Sequence, residues 1–333
     1  MYLEFDFRRV DCRQCGKVKS EKLDWLADNP LYTKRFAIYV GKRCRDASVY
    51  SVATELNLDW HTVKELEKEY MRGLLEKAGI PGPQAIGIDE ISIKKGHTYR
   101  IVVSDLLRGR PIWFGGTDRS EKSMREFYDW LGEKKSKRIR LAVMDMWKPF
   151  RNVTEEKAPQ AAILYDKFHV IRHLNGALDK VRKAEYARLS GEKRKYIKGQ
   201  KYTLLTKKEN LSLEGRKALK TLLTANRRLN KAYILKESFS QLWDYEREGW
   251  ARRFFDNWKD ALRWQRLKPF EKFADMIESH WDGIAAYAKP ENKVSLGFVE
   301  GLNNKIRVIQ RRAYGLRDEE YLRLKILTCM LPA

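Results

Sequence analysis

Three carboxylates stand where their neighbours give them no packing reason to be. Asp89 interrupts an apolar alternation of Ile86, Ile88, Ile91 and Ile93, and a buried carboxylate without compensation is costly. A metal ion would compensate it. Asp145 closes the short apolar run that ends Val143-Met144-Asp145, and ligands of open sheets gather at strand ends. Glu300 opens an amphipathic segment spanning 297–315. There Val299, Leu302, Ile306, Ile309 and Ala313 recur at steps of three and four and predict a buried stripe. Glu300, Asn304, Arg307 and Arg311 share a polar face beside it. A glutamate near a helix start meets the positive end of the helix dipole, and the amide and guanidinium groups beyond it are suited to phosphate. Three such carboxylates can hold two Mg2+ or Mn2+ ions about 3.5–4 Å apart. One ion would activate an attacking oxygen, the other would stabilise a leaving 3′-oxygen. Carboxylates suit these hard cations better than zinc.

Positioning such acids takes a sheet and a helix. Ala85 to Ile93, Tyr99 to Ser104 and Ile112 to Phe114 read as three strands, the last two joined at Arg108-Gly109-Arg110. Ser120 to Leu131 reads as a helix capped by Ser120 and ended by Gly132. Leu141 to Met144 is a fourth strand, Pro149 to Lys157 a helix, and Ala161 to Leu164 a fifth strand running into Tyr165-Asp166. Three meandering strands, helix, strand, helix, strand is the order of the ribonuclease H fold, an α/β class with a mixed sheet flanked by helices. In that order the first and fourth strands are neighbours, so Asp89 and Asp145 converge.

From Lys167 to about His280 the periodicity is helical. Between Lys180 and Lys231 stand 17 Lys or Arg against four acids, which predicts an all-α insertion with a basic face. Trp243, Trp250, Phe254, Phe255, Trp258 and Trp264 follow at helical spacing and are read mainly as core. Upstream, Pro81-Gly82-Pro83 is a linker. Before it, Val52, Ala53 and Leu56, the turn Asn57-Leu58-Asp59, and Val63 and Leu66 fit a helix-turn-helix. Trp60, His61, Thr62, Lys64 and Lys68 are then expected to project from its second helix toward a DNA groove. No internal repeat stands out.

The balance of 68 Lys and Arg against 45 Asp and Glu, net +23, calls for a polyanionic partner. No apolar run approaches the roughly 20 residues of a membrane span. The first residues lack the pattern of a signal peptide, so a cytoplasmic, nucleoid-associated location is expected. Cys12-x-x-Cys15 followed by Gly16 has the form of one zinc-ribbon knuckle. A tetrahedral zinc needs four ligands, so either a second knuckle precedes this sequence or the pair binds nothing. The expected division is 1–20 partial knuckle, 21–80 helix-turn-helix region, 81–170 first part of the catalytic core, 171–285 basic all-α insertion and 286–333 C-terminal helix of the core.

Four segments, GIDEISIKKGHTY, VMDMWKPF, YDKFHVIRHLN and GFVEGLNNKIRVIQRRAYG, closely resemble the insertion-sequence transposases of the ISL-three type. The resemblance runs from about residue 8 to 330. It implies a DDE transposase of a bacterial insertion sequence, with Asp89, Asp145 and Glu300 as the catalytic, metal-holding triad. It also implies a large helical insertion before the glutamate. Here 154 residues (146–299) separate Asp145 from Glu300, against 55 (90–144) between the aspartates. Asp166-x-x-His169 is similar to the Cys/Asp-x-x-His signature of related transposases, where His169 would orient a phosphate or support the site. Trp281 stands where related enzymes keep an aromatic and is read as core packing or as a stacking partner for a base. Leu296 replaces an expected polar residue.

The implied partners are double-stranded DNA, as terminal inverted repeats and as target, and further copies of the chain in a dimer or larger assembly on paired ends. Two other readings compete. A transposase remnant that only binds DNA would bind without cutting. A ribonuclease-H-like nuclease acting on hybrids or junctions would not need the helix-turn-helix.

Overall fold

A computed structural model describes residues 3–6, 8–21, 23–94, 98–294, 297–313 and 316–332. Leu296 lies outside them. The chain divides into two compact units, residues 1–79 with 306–333, and residues 80–305.

The first unit opens with an exposed hairpin, β1 (Arg9–Asp11) and β2 (Val18–Ser20). Three helices follow: α1 (Lys34–Asp46), α2 (Val49–Leu56) and α3 (Trp60–Ala78). The expected inner faces are realised, with Val52, Ala53, Val63 and Leu66 buried together with Ala37, Val40 and Cys44 of α1. Asn57 makes the turn in the left-handed region, φ 50°, which asparagine tolerates better than most residues. The side chain of Asp59 then caps the N–H groups of His61 and Thr62. Helix α1 was not expected from the sequence, and α3 runs further than the pattern suggested.

In the second unit the strands are β3 (Ala85–Lys94), β4 (Thr98–Asp105), β5 (Arg110–Gly115), β6 (Leu141–Met144) and β7 (Ala162–Tyr165). They form one mixed sheet in the order β5-β4-β3-β6-β7. The β3–β4–β5 meander is antiparallel, and β6 and β7 continue parallel to β3. Helix α4 (Glu121–Leu131) carries the expected Ser120 cap and ends at Gly132 with φ +83°. Short α5 (Glu133–Ser136) and α6 (Lys148–Lys157) complete the layer. Ile86, Ile88, Val103, Met144 and Tyr165 face this layer and bury Met124, Phe127, Phe150 and Val153.

Helices then run almost without break: α7 (Lys167–Ala187), α8 (Gly191–Gly199), α9 (Lys201–Leu205), α10 (Leu213–Ala225), α11 (Arg227–Phe239), α12 (Glu248–Asp260), α13 (Lys268–Ser279) and α14 (Trp281–Ala285). Trp243, Phe255 and Trp258 are core, with Phe254 packed against it. Trp250 and Trp264 are exposed instead. The chain closes with α15 (Gly297–Arg312) and α16 (Glu319–Thr328). Val299, Leu302 and Ile306 are buried as expected, but the stripe fades, with Ile309 half-buried and Ala313 exposed. Among the described residues no helix is long and apolar enough to cross a membrane.

Candidate active site

The register of the sheet sets the site. Ile88 of β3 pairs with Met144 of β6, and Met144 pairs with Tyr165 of β7. Each strand carries an aspartate one residue beyond that rung: Asp89, Asp145 and Asp166. Because side chains alternate with period two, all three extend the face of Ala85, Leu141, Val143 and Leu164, opposite the α4–α6 layer. A row of carboxylates on one face therefore runs across three parallel strands, from the middle of β3 to the ends of β6 and β7. Asp166 belongs to this row as fully as Asp145, which the sequence reading did not draw out. The signal was present, since an apolar residue followed by Asp recurs as Ile88-Asp89 within β3, Met144-Asp145 after β6 and Tyr165-Asp166 after β7.

Helix α15 covers the same face. A Cβ built on Gly87 would lie 2.9 Å from the tip of Leu106 and 3.0 Å from a methyl of Val299, so the bare glycine is what lets the helix approach β3. One turn on, the Asn303 amide donates to Asp89 Oδ2. Four helical residues advance about 6 Å and two strand residues about 6.6 Å, so helix and strand stay in step. The contact of Asn303 with the aspartate was not expected from the sequence, which singled out Asn304 on the polar face. Asn304, Arg307 and Arg311 lie exposed. Glu300 is exposed one turn before Asn303. Among the described residues no three His, Cys, Asp or Glu side chains are gathered where they could hold one ion. The three expected acids thus lie on adjoining elements without forming a closed ligand cluster.

Asp89 is 8% exposed and Asp166 7%. Burial pushes both carboxyls above their ordinary range. For Asp89 the Glu90 N–H, His169 and Asn303 pull back and Asp145 adds repulsion. For Asp166 the Phe168 N–H and His169 pull back, and Asp89 and Asp145 repel. Asp166 also caps α7 by accepting the Phe168 N–H at 2.9 Å. That cap brings His169 round to the row, with Nδ1 3.5 Å from Asp145 Oδ2.

The sequence model of a transposase family of the DDE ISL3 type matches residues 86–326. A second, described as the helix-turn-helix domain of transposase family ISL3, matches residues 21–71. The chain belongs to the ISL3 family of transposases. It is 33% identical to the transposase for insertion sequence element IS1001 of Bordetella parapertussis, over 96% of this chain and 79% of that protein. It is 26% identical to the transposase for IS1557 of Mycobacterium tuberculosis, over 97% and 77%.

In this ISL3 member the helix-turn-helix differs from expectation in one respect. Lys64 is ion-paired to Asp318 at 2.7 Å, and Lys68, 7% exposed, pairs with Glu320 at 2.7 Å. Acids on and beside α16 thus draw both lysines inward, away from a groove. Trp60, 49% exposed, lies against exposed His61 with ring centroids 3.6 Å apart and planes tilted by 30°, and Thr62 is half-buried beside them.

Trp281 stacks on Phe255 at 5.2 Å, and the Arg252 guanidinium lies over both rings, 5.0 and 5.7 Å from their centroids. The following Asp282 is ion-paired to Arg151, which also donates to the Tyr165 hydroxyl. Cys12 and Cys15 sit on the β1–β2 turn, where the N–H groups of Cys15 and Gln14 lower the Cys12 thiol. Two cysteines are half of a zinc site.

Arg119 went unnoticed in the sequence. Its guanidinium pairs with Glu90 at 2.9 Å and lies over the Tyr99 and Trp147 rings. The Trp147 indole donates back to the Arg119 carbonyl at 2.8 Å. The neighbours of both Asp89 and Asp145 are thereby tied to one residue.

The donor set fits a hard divalent cation. It offers carboxylate oxygens in a row, with burial opposing their charge and one histidine as nearby counterweight. Asn303 Oδ1 is buried without a hydrogen-bond partner, and an orphaned buried amide oxygen costs free energy that an ion would relieve.

Proposed function

We propose that this chain is an active DDE transposase that binds the terminal inverted repeats of its element and cuts and joins DNA with two Mg2+ or Mn2+ ions. The observation that carries the proposal is the row Asp89, Asp145, Asp166 at one rung of three parallel strands, facing the helix that bears Glu300 and Asn303. Asp89, Asp145 and Glu300 are proposed as the metal-holding triad. The strand order and mixed direction of the sheet support a ribonuclease-H-like core over 81–170. On this reading 171–285 is its helical insertion and 286–333 its C-terminal helix.

When bound, the ions supply Lewis acidity to the attacking and leaving oxygens of a phosphodiester. Asp89 sets their place from the middle of β3 and Asp145 from the end of β6, and Asn303 fixes the rotamer of Asp89 by donating to Oδ2. Asp166 starts α7 and so aims His169 at Asp145. Glu300 closes the site from α15, and Arg307 and Arg311 further along that helix contact phosphate. The helix-turn-helix of residues 21–80 reads the repeats through Trp60, His61 and Thr62, with Lys64 held in reserve by Asp318. The partial knuckle of residues 1–20 is assigned no zinc. Pairing two ends calls for a dimer or larger assembly, in the cytoplasm on the nucleoid.

Cleavage of element-end DNA with Mg2+, wild type against Asp145→Asn, tests this. Cutting by wild type alone, with DNA binding equal in both, is the expected result. Equal cutting by the variant would overturn the assignment. Specific binding without cutting by either would favour the DNA-binding remnant.

A further inference from the structure

Three non-glycine residues among those described have positive φ, and two of them, Trp264 at 67° and Arg266 at 52°, sit in the loop between α12 and α13. For a bulky side chain this backbone is a genuine outlier and persists only where its surroundings enforce it. They do so here. Leu262, 4% exposed, and Leu267, 0%, anchor the two ends of the loop in the core. From α11, the Arg228 guanidinium donates to the Arg266 carbonyl at 2.6 Å and the Lys231 ammonium donates to the Gln265 side-chain oxygen. The outcome is an indole 94% exposed, the most exposed large apolar side chain in the described structure. Exposed Arg263, Arg266 and Lys268 flank it.

A single exposed apolar residue is ordinary. A strained backbone, braced from α11, that holds the largest side chain in water is not. The flanking cations and the net charge of +23 oppose a second copy of this chain at the site and favour a polyanion. An indole offers a stacking face, and the bases of an intact duplex cover theirs. Unpaired bases present free faces, and stacking on aromatic side chains is worth about 1–3 kcal/mol per base.

We propose that Trp264 is a stacking platform for an unpaired DNA base, with Arg263, Arg266 and Lys268 on the adjoining phosphates. The inference rests on the reading of the chain as a DNA-processing transposase.

Fluorescence anisotropy with two labelled DNAs of equal length, one fully paired and one with four unpaired nucleotides at its centre, tests it on the full chain. Trp264→Ala is expected to weaken binding of the unpaired DNA by at least about fivefold. The paired duplex should change by less than twofold, and the salt dependence should be unaltered. Trp264→Phe should keep most of the affinity. Trp264→Gly should lose it while holding or raising the thermal midpoint, since glycine accepts the left-handed backbone, and this separates lost stacking from misfolding. Equal loss on both DNAs, or no loss on either, would overturn the platform and leave the transposase reading standing. A change in sedimentation of the DNA-free protein on Trp264→Ala would overturn it in favour of a protein contact. Failure of wild type to bind either DNA would overturn both readings.

Discussion

Gly87→Ala is the smallest change that reaches the candidate site through packing alone. The added carbon would stand 2.9 Å from Leu106 Cδ2 and 3.0 Å from Val299 Cγ2, where carbons prefer about 3.5–4.0 Å. The Leu106 tip can rotate away. Val299 is β-branched on a helix and holds essentially one rotamer, so α15 itself must move back by roughly half an ångström. Overpacking of this kind costs about 1–3 kcal/mol, and the reduced freedom of the unfolded chain returns about 0.4–1 kcal/mol. The net expectation is a loss of about 1–2 kcal/mol.

Gly176→Ala, in α7 with no atom within 4 Å of its Cβ, is the matched control and should gain about 0.5–1 kcal/mol. Urea denaturation monitored on the unit of residues 80–305 reads both. Because Asn303 meets Asp89 one turn beyond Val299, Gly87→Ala should also slow the proposed Mg2+-dependent cleavage, and Val299→Ala in the same chain should restore part of stability and rate. A Gly87→Ala protein as stable and as active as wild type would refute the account of how α15 is held to β3.

Two further expectations concern the first unit. Glu67, 2% exposed, receives Lys325 on one oxygen and the Tyr321 hydroxyl on the other; burial pushes its carboxyl up while both partners pull it back. Lys325→Met leaves that carboxylate uncompensated and should cost about 3–5 kcal/mol at pH 7. The loss should shrink as pH falls and the stranded carboxyl takes up a proton, and Glu67→Gln in the same chain should recover much of it. A loss independent of pH in thermal scans would contradict the assignment. Cysteine labelling with a maleimide at pH 7.5 should modify exposed Cys15 rapidly and spare Cys44, whose buried thiol is pushed up to about 12, chiefly by burial. Mass spectrometry of the peptides reads the order, and early modification of Cys44 in the native protein would show that the first unit opens.

Much of the sheet was legible because alternation, turn residues and caps agree locally: each of its five strands and the helix from Ser120 to Gly132 lie where the pattern places them. What was not legible depends on distant residues. Helix α1 carries Gly41 at its centre, which reads as a breaker. The glycine is there because the Tyr70 ring lies across it, 2.2 Å from where a Cβ would stand. Lys64 and Lys68 read as groove-facing cations because their acidic partners lie about 250 residues further along, at Asp318 and Glu320. Asn303 and Asn304 are equivalent as letters. Only the seating of Val299 over Gly87 sets the rotation of the helix and decides which amide meets Asp89.

The same reasoning explains why the acids stand where they do. A carboxylate inside a strand costs its desolvation, and three at one rung add mutual repulsion, so packing energy alone would replace them. The surrounding chain offers little relief. Asp89 accepts the Glu90 and Asn303 N–H groups, Asp145 accepts the Met146 N–H, Asp166 accepts the Phe168 N–H, and the His169 ring nitrogen lies 3.5 Å from Asp145. Yet the chain carries 68 basic residues, any of which a different fold could have brought to the row. Keeping cations of the protein away from these oxygens while basic side chains crowd the helical stretch from Lys180 to Lys231 separates two tasks. On the proposed reading, the helices would attract the phosphate backbone and the row would stay open to ions that arrive with, or before, the DNA. A lysine placed at the row, as in Asn303→Lys, would satisfy Asp89 permanently, and the expected result is a protein at least as stable that binds DNA and no longer cuts it.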